Sequence, residues 1–115
     1  MPPRFDTITP LIPSGADFAA GLRFYVEHLG FSMRWQDGNM AGIERDGVAF
    51  NMVHNSNREW AENASFSIGV RGLDELYAQY RNVPARVGPL ELKAWGRREF
   101  HMIVDSGVCL QFYES

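Results

Sequence analysis

The three histidines, the single cysteine and a few carboxylates are where proton transfer, nucleophilic attack or metal binding would most directly be built. A zinc-type site needs imidazole, thiolate or carboxylate lone pairs converging at about 2.0–2.3 Å. His28 falls near the end of a helical pattern, where a cation complements the backbone dipole. His54 ends an alternating run one step out of phase with Asn51, so it points away from that residue's face. His101 alternates with Phe100 and Met102 and is placed inward, with Glu44 and Glu99 able to approach from strands nearby. Cys109 would need a base and a depressed pKa to act as a nucleophile. No Cys-His motif is legible, and a lone cysteine behaves as a small apolar residue. No G-x-S-x-G elbow, Walker loop or dinucleotide glycine fingerprint occurs. The predicted catalytic set is therefore empty, and no cofactor is called for.

Binding is the other chemistry on offer. The stretch ELKAWGRREF places Trp95 among Lys93, Arg97, Arg98 and Glu99. A large ring in so polar a segment either folds back on the core with its N–H bonded to a carbonyl, or forms a wall for a ligand. Trp35 alternates with Phe31 and Met33, which suits core packing and ligand contact equally. Trp60 lies in a polar segment and covers a pocket edge or a subunit contact. Arg97 and Arg98 read most simply as a solvated loop face, with the holding of an anionic ligand as the alternative for one of them.

The bulk properties narrow the classes. With 115 residues the chain forms one domain, long enough to bury roughly two thirds of its unfolded surface. Eleven basic against 14 acidic residues give a net charge of -3, which argues against a nucleic-acid partner and is compatible with a cationic ligand. One cysteine excludes an internal disulfide and a cysteine-cluster metal site. No apolar run approaches a membrane span, and MPPRFDTITP lacks the layout of a signal peptide. A reduced, cytoplasmic protein is the expectation.

These residues must be positioned by the elements around them. Phe5 to Ile12 alternates and reads as a strand, with Pro10 marking an edge or bulge. Asp17 caps a helix that carries Phe18, Leu22, Tyr25 and Leu29 on one face and stops at Gly30. Strands follow over Phe31–Gln36, Met40–Glu44 and Val48–His54, with tight turns at Asp37-Gly38-Asn39 and Asp46-Gly47. Residues 55–63 read as a linker. The order then repeats: strand Ser65–Val70, helix Leu73–Arg81, and strands near Ala85–Val87, Glu99–Val104 and Val108–Tyr113. GVAFNMV (47–53) echoes GVCLQFY (107–113), pairing Asn51 with Gln111. Period two sends Val48, Phe50, Met52, Val108, Leu110 and Phe112 toward the helices. Ala49, Asn51, Val53, Cys109, Gln111 and Tyr113 then line the other, concave face.

Strand-helix-three strands, twice, is an α+β architecture of two βαβββ modules (about 5–54 and 64–115) forming a cupped mixed sheet with helices outside. Together with Phe24-Tyr25…Leu29-Gly30-Phe31, GVRGLDELY (69–77) and AWGRREF (94–100), it resembles the vicinal oxygen chelate superfamily over nearly the whole chain. Trp95-Gly96 before the penultimate strand and Thr9-Pro10 in the first are similar to the bleomycin-resistance branch. The last hairpin departs, with Asp105-Ser106-Gly107 where the family often has a longer turn.

The resemblance implies a fold cupped around a pocket, and a homodimer in which both chains shape each pocket, with exchanged strands as one arrangement. It places the family's metal-ligand positions at Thr9, Asn51, Ser65 and Gln111. None is histidine or carboxylate, and neutral amides and hydroxyls are weak ligands for transition metals. The implied function is metal-independent binding of a small, flat, cationic molecule, bleomycin-like as the first guess. Trp95 would stack on it, Met40 and Trp60 would flank it, Asn51 and Gln111 would offer hydrogen bonds, and His101 would line the site. The rival is a metal-dependent glyoxalase-like lyase or dioxygenase-type enzyme with an atypical set around Gln111, His101 and a nearby glutamate. A third class is a module for protein partners that needs neither metal nor ligand.

Overall fold

A computed structural model describes all residues, 1–115. The first sheet has the order β1-β4-β3-β2, from β1 (Leu11–Pro13), β2 (Ser32–Asp37), β3 (Met40–Arg45) and β4 (Val48–Val53). The second has the order β5-β9-β8-β6, from β5 (Ser65–Val70), β6 (Arg86–Val87), β8 (Arg98–Ile103) and β9 (Cys109–Glu114), with β7 (Glu91–Leu92) also pairing with β8. Each sheet is mixed: β1 runs parallel to β4 and β5 parallel to β9, while the remaining pairs are antiparallel.

The two sheets repeat one register. Asn51 lies opposite Leu11 and Gly42; Gln111 lies opposite Ser67 and His101. The echo between residues 47–53 and 107–113 therefore marks equivalent strands. Alternation works as expected in both. Phe50, Met52, Leu110 and Phe112 are buried toward the helices, whereas Asn51 and Gln111 on the opposite face stay partly exposed.

One apolar core joins the two halves. Phe50 meets Phe66 edge-on with ring centres 5.4 Å apart, and Phe100 stacks on Phe112 at 5.1 Å. Helix α1 (Phe18–Arg23) starts where the Asp17 carboxylate accepts from the Ala20 N–H. It runs into a π-helical turn, Phe24–His28, and ends at Gly30, whose φ of +80° favours glycine. Tyr25 and Leu29 are buried beneath it. Helix α3 (Leu73–Tyr80) buries Leu73, Leu76 and Tyr80. Arg45 ties the halves together, donating through Nη1 to the Leu29 carbonyl at 2.8 Å and to the Tyr80 hydroxyl at 2.7 Å.

Three expectations are corrected. The first strand is Leu11–Pro13 rather than Phe5–Ile12, and residues 1–9 are exposed and outside any strand. Pro10 has no N–H to donate and supplies only its carbonyl, to the Asn51 N–H. The segment at 55–63 is not a bare linker but holds α2 (Arg58–Glu62), capped by Asn57 and anchored by buried Ala61. The stretch before the penultimate strand forms a hairpin, β7–β8, whose pairing of Leu92 with Arg98 was not anticipated.

Tyr25 leaves one polar atom unsatisfied. Its hydroxyl is buried without a partner, and burial pushes its pKa up. An unpaired buried hydroxyl costs free energy that phenylalanine at the same place would not. Tyr25→Phe is expected to stabilise the fold by about 1 kcal/mol, read as a higher urea midpoint at unchanged slope.

Candidate functional site

The faces turned away from the helices carry the candidate site. On the second sheet, β8 puts Phe100 and Met102 into the core and sends Glu99 and His101 to the open side, beside Tyr113 and Gln111 of β9. Glu99 is the hub. Its side chain has no exposed surface, yet it lies on the open face because its neighbours roof it. Oε1 accepts from Trp95 Nε1 at 2.6 Å and from Arg97 Nε at 3.0 Å. Oε2 meets His101 Nε2 at 2.6 Å. Burial pushes the Glu99 carboxyl up, but the hydrogen bonds from Arg97, His101 and Trp95, with the charge of Arg97, outweigh it and hold the pKa at about 2.

The β7–β8 hairpin sets up this cluster. Gly96 turns its tip at a φ of +87°, and the Lys93 N–H donates to the Arg97 carbonyl. Trp95 at the tip is bonded by its N–H to Glu99, but its ring is 64% exposed. It is thus neither folded into the core nor bonded to a carbonyl. Arg97 is no solvated loop residue: it reaches back to Glu99 and lies 4.1 Å over the Tyr113 ring. Arg98 points to the other side, bridging Asp74 and Glu114.

Gln111 is held from both ends. Its Oε1 accepts from Ser67 Oγ at 3.1 Å and its Nε2 donates to Ser65 Oγ at 2.9 Å. Cys109 lies on the same face, partly exposed, with no hydrogen-bond partner that would activate it.

The first sheet offers a counterpart. Met40, Gly42 and Glu44 share the open face with Asn51, because Ala41 and Ile43 between them are buried. Trp35 of β2 lies across Gly42: a Cβ built there would sit 2.1 Å from Trp35 Nε1. Trp35 is 43% exposed, so of the two readings open for it, the ring stands on the open face rather than in the core. The missed signal was Gly42 at mid-strand, since a strand glycine marks close approach. By register, Gly42 and Met40 occupy in the first sheet the places of His101 and Glu99 in the second. One half of the open surface thus sets an indole plate beside Met40, Asn51 and Glu44, and the other sets one above the Glu99 cluster.

The remaining residues are placed as follows. Trp60 sits on α2, partly buried, beside β1 rather than within the Glu99 cluster. His54 faces α1, bonded to the Ala16 carbonyl and tilted toward Phe18. His28 lies against Phe24. The chain's larger cavities lie elsewhere. One of about 520 Å³ separates the β3–β4 turn from α3, and one of about 300 Å³ lies beside α1. The first contains Arg45, already spent on Leu29 and Tyr80, and its charges balance.

The metal positions implied by the resemblance do not fit a metal. Thr9 is exposed and outside the strand, Ser65 and Gln111 bond each other, and Asn51 is a neutral amide. The atypical set is brought together in part, since His101 lies opposite Gln111 and touches Glu99. The Glu99 oxygens, however, are taken by N–H donors, and no three His, Cys, Asp or Glu side chains converge as a metal site. No helix is long and apolar enough to cross a membrane.

No family model matches the chain, and no curated protein sequence matches it. Solved structures do. The bleomycin-binding protein of Streptomyces verticillus, in complex with copper(II)-bleomycin, is similar at 23% identity over 97% of this chain and 98% of that one, with a TM-score of 0.85. The bleomycin resistance determinant encoded on transposon Tn5 is similar at 24% identity, over 96% of this chain and 98% of that one, with a TM-score of 0.84. A glyoxalase/bleomycin resistance protein/dioxygenase from Nocardioides is similar at 17% identity, over 98% of this chain and 85% of that one, with a TM-score of 0.77. With matches this complete, the chain has the fold seen in these bleomycin-binding, bleomycin-resistance and glyoxalase/bleomycin resistance/dioxygenase structures.

Proposed function

We propose that this protein is a metal-independent small-molecule binder that captures a flat, cationic guest by stacking, with no bond made or broken. The observation that carries the reading is Trp95: a ring 64% exposed at a hairpin tip, yet fixed in orientation by its N–H bond to a buried carboxylate. An oriented, bare indole is suited to stacking and cation–π contact. Trp35 adds a second plate on the first sheet, Met40 an adaptable apolar flank, and Asn51, Gln111 and His101 polar edges. Trp60, on α2 beside β1, is a further flank only if the guest extends toward β1.

The open faces of one chain do not close a pocket, so we propose a homodimer in which a second chain completes each cup. Met33, Trp35, Leu92 and Trp95 are all exposed on one molecule, as are Phe5 and Ile8 of the N-terminal segment. Apolar exposure on this scale marks an association surface. The free Cys109 suits the reducing cytoplasm, where we place the protein. Bleomycin is the first guest to test, because two similar structures are of proteins that bind it.

Calorimetric titration with metal-free bleomycin, in the presence of a chelator, tests this. Saturable binding is expected, weakened roughly ten-fold or more in Trp95→Ala, with the unliganded protein sedimenting as a dimer. No heat would remove bleomycin as the guest. Binding or turnover only after addition of a divalent ion would restore the rival enzyme built on His101 and Gln111.

A further inference from the structure

We propose that Glu99 is the positioning residue of this site, and that through His101 it selects flat guests bearing an N–H or O–H donor on the ring edge. The inference rests on the binding function proposed above and names the chemistry that the site accepts.

Glu99 touches no solvent and so meets no guest directly. What it does is orient three residues that are themselves partly exposed. Each of its oxygens is an acceptor only, so every group against it must present a hydrogen. Trp95 and Arg97 have no other choice. His101 does: a neutral imidazole carries its proton on either nitrogen, and the partner of one nitrogen decides the role of the other. Because Nε2 lies 2.6 Å from Glu99 Oε2, the proton is placed on Nε2. Glu99 stays ionised down to strongly acid conditions, so this assignment holds wherever the protein is folded and the ring neutral. Nδ1 is then left as a lone-pair acceptor. No protein group bonds it, and the imidazole is about one-third exposed.

The same carboxylate that erects the Trp95 plate therefore aims an acceptor beside it. On the same face the Gln111 amide already has one bond at each end, to Ser67 and Ser65, whereas His101 Nδ1 has none. Trp95 and His101 bond the two oxygens of one carboxylate, and on this proposal a ring lying on Trp95 brings its edge to the unpaired lone pair. A guest with an edge donor satisfies it; one without a donor leaves it desolvated and unpaired. The first sheet has no counterpart of this imidazole, because Gly42 stands where His101 would be.

The test has two arms. Nitrogen-15 NMR of the histidine-labelled wild-type protein, without any ligand and above the imidazole titration, reads the His101 tautomer. Nε2–H is expected; Nδ1–H, or rapid exchange between the two, would overturn the inference. In Glu99→Gln, whose amide can donate as well as accept, the tautomers should mix and the Trp95 indole resonance should move; an unchanged tautomer would mean that Glu99 does not set it. The second arm titrates indole, a flat ring whose edge carries a donor and no acceptor, against 1-methylindole, which lacks the donor. Indole is expected to bind roughly ten-fold tighter, with the His101 Nδ1 resonance shifting only for indole. Equal affinity would overturn the selection of donors. Neither arm uses bleomycin: failure of that titration alone would change the guest proposed, whereas a wrong tautomer would remove the role of Glu99 whatever the guest.

Discussion

Replacing Glu99 with alanine is expected to cost about 3 kcal/mol of stability and to disorder the stacking ring. The loss is that of a buried carboxylate which satisfies three donors at once. It falls below the upper range for buried ion pairs because Arg97 and His101, each about one-third exposed, regain water when the carboxylate goes. Urea unfolding reads the stability, and quenching by a soluble agent reads the freed indole. The acid limb of the wild type carries the same information. Glu99 has a folded pKa of about 2 against an ordinary value of 4.5. Its stabilisation is fully present above the ordinary value and is lost as pH falls toward 2. Between those limits the wild type should lose stability on the order of 2 kcal/mol more than Glu99→Gln does. Parallel acid limbs for the two proteins would show that the carboxylate is not held ionised by its neighbours.

One residue further along the strand the face changes, and so does the consequence. Phe100→Ala is expected to destabilise by about 3–5 kcal/mol, a large part of the total stability of a small domain. Phe100 has no exposed surface. It stacks on Phe112 at 5.1 Å and meets Tyr77 edge-on at 5.0 Å, so the vacated volume lies between β8, β9 and α3, where nothing small can collapse into it. Thermal unfolding by calorimetry measures the loss. If the two-plate site is mounted on this core, Trp95 should keep its environment in the folded fraction of Phe100→Ala and lose it in Glu99→Ala. The reverse pattern would place Trp95 on the wrong side of β8.

Much of the architecture was legible because local rules and burial agree in it. Period-two alternation in residues 48–53 and 108–113, the Asp17 cap, the glycine turns and the echo of Asn51 with Gln111 all point the same way, and both sheets obey them. The first strand was overread: Pro10 marks no edge or bulge within Phe5–Ile12 but precedes a strand of only Leu11–Pro13. Alternation also sent His101 to the open face and His54 toward the helix, as the structure has them.

The sequence by itself determined which residues share a face, since that follows from a two-residue period and needs no partner strand. It could not determine what each residue on that face bonds. Arg97 read as solvated because nothing local says that the strand after the next turn will bring Tyr113 beneath it. Glu99 read as one carboxylate among several because its burial comes from Trp95, Arg97 and His101 closing over it, and that closure depends on the turn at Gly96. Trp35 stayed undecided between core and surface until the register set it against Gly42, where the absence of a Cβ leaves the only room for an indole on the open side. Faces are a property of one strand; hydrogen-bond partners and close approaches are a property of how strands are brought together, and that only the tertiary structure decided.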